Sequence, residues 1–182
     1  MRSILLRTWL LLFAFAFGAA AAECQVAPAV NTSKFDLRVG GEFSIFQPDY
    51  GAQSLLGFGA YADLDFHRWV GVEAEARSLF LNKYGGKMRT DTGGGGVRFF
   101  YPYRKFVPFA KGEIGFGSID FPNHTFSHET MIFYEIGGGV DYRLSHRVSV
   151  RGEYVYQFWP DFLGGRGLNP YGANVGASYR FF

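Results

Sequence analysis

From residue 35 to the end of the chain, alternate positions draw on two chemically different sets of side chains. The first run reads Phe35, Leu37, Val39, Gly41, Phe43, Ile45 on one parity, with Asp36, Arg38 and Glu42 on the other. The same alternation returns over 56–66, 70–78, 93–101, 106–116, 132–142, 148–158 and 171–181, which makes eight runs. Successive side chains of a strand point to opposite faces, so period two marks a two-faced strand. No window after residue 34 sustains a helical period.

The two faces differ in kind. One carries Asp36, Arg38, Glu42, Asp63, Asp65, Glu73, Glu75, Arg77, Arg98, Lys111 and Glu113. Glu135, Asp141, Arg143, Arg151, Glu153 and Arg180 bring it to seventeen charges, ten acidic and seven basic, while the 46 positions of the other face carry none. A one-residue slip in register would exchange the faces completely. A basic side chain at the lipid-facing midplane of a barrel costs roughly 2–4 kcal/mol. Seventeen misplaced charges would outweigh the whole stability of a domain, about 5–15 kcal/mol.

Connections between the runs alternate in length. Three are short (His67–Arg68, Pro102–Lys105, Leu144–Arg147) and four are long (Gln47–Leu55, Phe80–Thr92, Gly117–Met131, Trp159–Pro170). An antiparallel meander follows, with both ends on the short-turn side, as in barrels with short periplasmic turns and longer external loops. A soluble barrel with its apolar face inward is the competing arrangement. The run length of about ten residues suits a tilted membrane-crossing strand. Aromatics stand at the ends of the apolar runs (Phe35, Phe66, Tyr101, Phe106, Tyr142, Phe158, Tyr171, Phe181), as interfacial girdles require. Gly57, Gly59, Gly94, Gly96, Gly115, Gly137, Gly139 and Gly176 lie on the polar face, where they leave room in a narrow interior. The expected fold is therefore all-β, an eight-stranded antiparallel up-and-down transmembrane β-barrel over 34–182, with the apolar face outside.

The first 22 residues read as a signal peptide. Arg2 and Arg7 form its basic start, Trp9 to Phe17 its apolar core, and Ala20–Ala21–Ala22 a cleavage site. Cleavage after Ala22 leaves 182 − 22 = 160 residues, beginning with a short polar segment over 23–33. The 18 Lys+Arg then fall to 16 by loss of Arg2 and Arg7, matching 16 Asp+Glu, so the mature chain is formally neutral. That excludes a basic nucleic-acid surface. One Cys excludes a disulfide framework and a Cys-built zinc site. Glu23 stands before Cys24 where lipid attachment would want a small residue, which favours a free thiol.

With a signal peptide, eight alternating runs and the ending Tyr179–Arg180–Phe181–Phe182, the sequence resembles the small bacterial outer-membrane barrels of the OmpA-like and opacity-protein type. The resemblance covers 34–182. It implies insertion by the barrel-assembly machinery, whose aromatic-x-Phe signal the ending resembles with one extra residue, Phe182. Unlike full-length OmpA-like proteins, the chain is expected to stop at the eighth strand, with no peptidoglycan-binding domain after it. Residence is expected in the outer membrane, in contact with its lipid, as a monomer, since a closed barrel has no edge strand to pair.

Several residues invite functional readings. The interior charges either line a selective pore or pair into a plug, and an eight-stranded barrel is only wide enough for its own side chains. Pairs involving Glu73 or Arg151 would then gate any open state. His124 and His128, near Asp120 and Glu129, carry a metal only on a helix, which Pro122 and Asn123 oppose; no metal or cofactor is expected. Lys83, Lys87 and Arg89 sit in the second long loop, level with lipopolysaccharide phosphates. Phe121, Phe126, Trp159, Phe162 and Leu163 make the long loops unusually apolar, as a receptor patch, as side chains packed on one another, or as upper-girdle aromatics. Thr92–Gly93–Gly94–Gly95–Gly96 lacks the Lys-Ser/Thr of a phosphate loop and precedes a strand, so it reads as a bend. Lipid A hydrolysis or acyl transfer would need a Ser–His–acid set. His67 and His146 fall at the short turns, and His124, Ser127, His128 and Glu129 in a loop off the wall, so no catalytic residue is assigned. A non-enzymatic structural or surface-interaction role through the external loops is expected. A small porin and a lipid A-modifying enzyme are the alternatives.

Overall fold

The computed structural model describes residues 35–49, 53–83, 86–120, 129–160 and 167–181. The expected leader, the 23–33 segment with Cys24, and Phe182 lie outside the described residues. So do His124, His128, Ser127, Phe121, Phe126, Phe162 and Leu163.

Eight strands follow in order: β1 Asp36–Gln47, β2 Leu55–Asp65, β3 Val70–Lys83, β4 Gly86–Phe100, β5 Phe106–Asp120, β6 Glu129–Arg143, β7 Val148–Phe158 and β8 Tyr171–Arg180. Each pairs antiparallel with its neighbours, and β1 closes on β8 from Arg38↔Arg180 to Gln47↔Tyr171. Closure satisfies every ladder within the chain, the condition for spanning hydrocarbon with strands. The faces divide as the alternation predicts. Phe58 and Ile136 are each 65% exposed on the outside, while Asp63 and Arg98 are 0% exposed inside.

Two of the expected long loops are shorter than the sequence reading gave. The β3–β4 ladder continues through Phe80↔Arg89 and Leu81↔Met88 to Lys83↔Gly86, and the β5–β6 ladder reaches Ile119↔Glu129. Thr92 to Gly96 accordingly lies within β4 and keeps pairing on both sides. The cause is a phase inversion of the hydrophobic pattern. Above the lipid-facing band the outward positions other than Phe80 turn polar (Ser78, Arg89, Asp91, Ser118, Thr130), and inward ones turn apolar (Leu79, Met88, Ile119, Phe133). The apolar-outside signal ends there, but the strands do not.

The short turns are tight. Tyr103 and Phe106 exchange both backbone hydrogen bonds, at 2.8 and 2.9 Å, across Arg104 and Lys105, with Arg104 at φ 55°. A positive φ in a two-residue hairpin matches the twist of the flanking strands.

Candidate functional site

The barrel interior is stacked in layers, each set by which residue types fall on the inward parity. At the short-turn end Phe100, Val107 and Phe109 form a small apolar cluster. Above it lie three aspartates and three arginines. Asp141 accepts from Arg151 Nε at 2.8 Å, from Arg38 at 3.2 Å, and from Arg98. Arg151 also reaches Asp63 at 2.6 Å, and Arg38 pairs with Asp65. The Arg151 guanidinium lies over the Tyr61 ring at 3.9 Å and near Phe109 at 4.6 Å, so its flat face is covered as well as its edge.

Glu73 links this layer to the next, bonding Arg151 at 2.9 Å and Lys111 at 2.8 Å. The second layer is made of glutamates. Lys111 Nζ stands 2.6 Å from Glu75, 2.8 Å from Glu153, 3.4 Å from Glu135 and 3.5 Å from Glu113. Arg77 joins Glu75, Glu42 and Glu135. Buried carboxylates (Glu42, Asp63, Asp65, Glu73, Glu75, Glu113, Glu135, Asp141, Glu153) number nine against five buried bases (Arg38, Arg77, Arg98, Lys111, Arg151). The aspartate layer balances three to three, so the excess acid belongs to the glutamates.

The third layer, at the long-loop end, is apolar: Phe46, Leu55, Leu79, Met88, Ile119, Phe133, Val155, Trp159 and Leu168. Trp159 is 1% exposed, so of the three readings open for it, packing holds, and neither a receptor patch nor a girdle does. It stacks on Phe133 with ring centres 5.5 Å apart, and a bridge with Leu168 seats it. Gln157 joins this layer to the glutamates by donating to Glu135 at 2.7 Å.

This apolar layer is what sequence reasoning missed. Its signal was available: Phe46, Leu79, Phe133, Val155 and Trp159 are in phase with Glu42, Arg77, Glu135 and Glu153 on the charged face. The inward glycines also do more than leave room. A Cβ on Gly137 would crowd Val155, Glu153 and Lys111, as expected. One on Gly57, Gly96 or Gly139 would instead meet the backbone oxygen of the adjacent strand at 2.0, 1.9 and 2.2 Å. There the glycines permit close approach of the wall itself.

A water-filled pore leaves its lining accessible. Here Asp63, Arg98, Glu73, Asp141 and Arg151 are all 2% exposed or less, and an apolar layer lies above them, so the interior is closed. Of the three basic residues on the second hairpin, Arg89 is half-exposed, pairs with Asp91 at 2.7 Å and lies 5.6 Å from the Phe80 ring. The side chains of Lys83 and Lys87 lie outside the described residues. Among the described residues, no histidine is hydrogen-bonded to a serine, and His67 and His146 are at the short-turn end.

The family model described as outer membrane protein beta-barrel domain matches residues 9–181. The chain belongs to this family. Its members reside in the bacterial outer membrane, which places the short turns of this outer-membrane barrel on the periplasmic side and the long loops outside. Among solved structures, the barrel is similar to Neisserial surface protein A (NspA), at 11% identity and a TM-score of 0.68, covering 82% of this chain and 98% of that one. Ail, the attachment invasion locus protein of Yersinia pestis, aligns at 16% identity and a TM-score of 0.56, covering 81% and 97%. The outer membrane enzyme PagL aligns at 12% identity and a TM-score of 0.52, covering 76% and 97%. Identities this low speak for the shared fold alone. No curated protein matches the sequence.

Proposed function

We propose that this outer-membrane barrel is a non-enzymatic structural or surface-interaction protein, exported by a signal peptide cleaved after Ala22, whose external loops make its contacts. The observation that carries this reading is the closed interior. A lumen filled by Lys111 and its carboxylates below, and by Trp159 and Phe133 above, argues against passage of a solute. The external end offers the surface for these contacts. Lys83, Lys87 and Arg89 on the second hairpin are positioned in sequence to meet lipopolysaccharide phosphates.

Conductance of the refolded mature barrel in a planar bilayer tests the reading. Silence is expected, with binding to cells or matrix lost on deleting external loops one at a time. Steady, ion-selective conductance would overturn it in favour of a small porin. Catalysis on lipid A is disfavoured because the described histidines lie at the end opposite the outer leaflet. Mass analysis of lipid A from cells lacking the gene should show an unchanged profile.

A further inference from the structure

The periplasmic end carries a charge pattern that the closed lumen and the external loops do not use. The three short turns, residues 66–69, 101–105 and 144–147, contain Arg68, Arg104, Lys105 and Arg147 with His67 and His146, and no acid. Inside this rim, at the mouth of the barrel, is a cavity of about 300 Å³. That is at the lower end of the range for small-molecule sites, roughly 300–1,000 Å³.

Four bases line the cavity against one acid, Asp36. Two of the four are spoken for. Arg38 is held by Asp65 and Asp141, and Arg180 reaches Asp36 at 2.7 Å. Arg143 and Lys105 have no ion-pair partner among the described residues. Their backbones are tied to each other, because the Arg143 backbone N–H donates to the Lys105 carbonyl at 2.8 Å. Ser145 adds a hydroxyl whose oxygen already accepts from the Arg147 and Val148 amides at 3.2 and 3.1 Å, which leaves its hydrogen to donate. Two uncompensated cations, tied turns and hydroxyl donors facing one small cavity form a site for an anion of about two charges.

We propose that the periplasmic mouth binds a phosphate-class group through Arg143 and Lys105. The group comes either from a small soluble phosphate of the periplasm or from the headgroup of an inner-leaflet phospholipid that reaches over the rim.

The test uses the mature barrel refolded in a phosphate-free maltoside detergent. Inorganic phosphate is titrated against sodium chloride of matched ionic strength, following the phosphorus resonance linewidth and the thermal midpoint. Saturable broadening and a raised midpoint are expected, with affinity weakened about tenfold or more by Arg143→Gln with Lys105→Gln. If that pair fails to refold, Lys105→Gln alone, on an exposed turn, should still weaken binding. Short-chain phosphatidylglycerol in the same micelles separates the sources: a response to it, with none to inorganic phosphate and the same sensitivity to the variants, assigns the headgroup. No response to either, or binding that the variants retain, overturns the proposal. A conductance trace that overturns the closed-lumen reading leaves this result unaffected, since Arg143 and Lys105 are not members of the ion network that fills the lumen.

Discussion

The indole Nε1 of Trp159 donates to the side-chain oxygen of Gln157 at 3.0 Å, and this bond joins the apolar cap of the barrel to the ion network beneath it. Gln157 spends its amide nitrogen on Glu135, so one side chain serves both layers. A barrel refolded without residues 1–22, and so without Trp9, contains Trp69 and Trp159. In a Trp69→Phe variant the emission should therefore be blue-shifted and insensitive to aqueous iodide. Red-shifted, quenchable emission would mean that the cap is open to water.

Lys111 is the hub of the glutamate layer. Replacing it by Met leaves Glu73, Glu75, Glu113, Glu135 and Glu153 facing one another with the ammonium gone. Removing one partner of a buried ion pair costs about 3–5 kcal/mol. Urea titration read by heat-modifiable gel migration should show at least that loss for Lys111→Met. A change below about 1 kcal/mol would contradict the hub.

The opposite sign is expected on the acidic side. Glu42 Oε2 is buried without a hydrogen-bond donor among the described residues, in a layer already over-supplied with carboxylates. Glu42→Gln removes one unit of that repulsion and keeps the shape. Its stability in the same urea assay should be unchanged or higher by about 1–2 kcal/mol.

Two glycines of one ladder should behave differently. A Cβ at Gly96 would lie 1.9 Å from the Gly112 carbonyl oxygen, whereas one at Gly112 itself meets nothing within 4 Å. Gly96→Ala should cost about 1–3 kcal/mol by overpacking. Gly112→Ala, on the lipid face, should be neutral or gain a few tenths of a kcal/mol from the stiffer unfolded chain.

Strand number, order and the sidedness of the wall were legible because one physical rule governs each lipid-facing position: charge is excluded. Charge pairing was legible as a class, and Glu73 with Arg151 proves to be a direct pair at 2.9 Å. What was not legible is where that rule stops. Met88 falls in the connection expected over 80–92, and Leu79 just past the run that ends at 78, because Ser78 and Arg89 no longer obey it. Nor does the alternation reveal that Lys111 gathers five carboxylates, since strand parity gives the side of the wall and says nothing of which heights converge across it.

The phase inversion along β3 to β6 means that the same strand answers to two solvents. Near Ile114 it is dissolved in hydrocarbon and polar within; near Ser118 and Ile119 it is a water-soluble protein with an oily centre. The upper part must therefore be carried through the bilayer before it reaches the medium in which its own core is stable. Its polar skin opposes that passage, and the cap built by Trp159, Phe133 and Leu79 suits only the aqueous side on which it comes to rest.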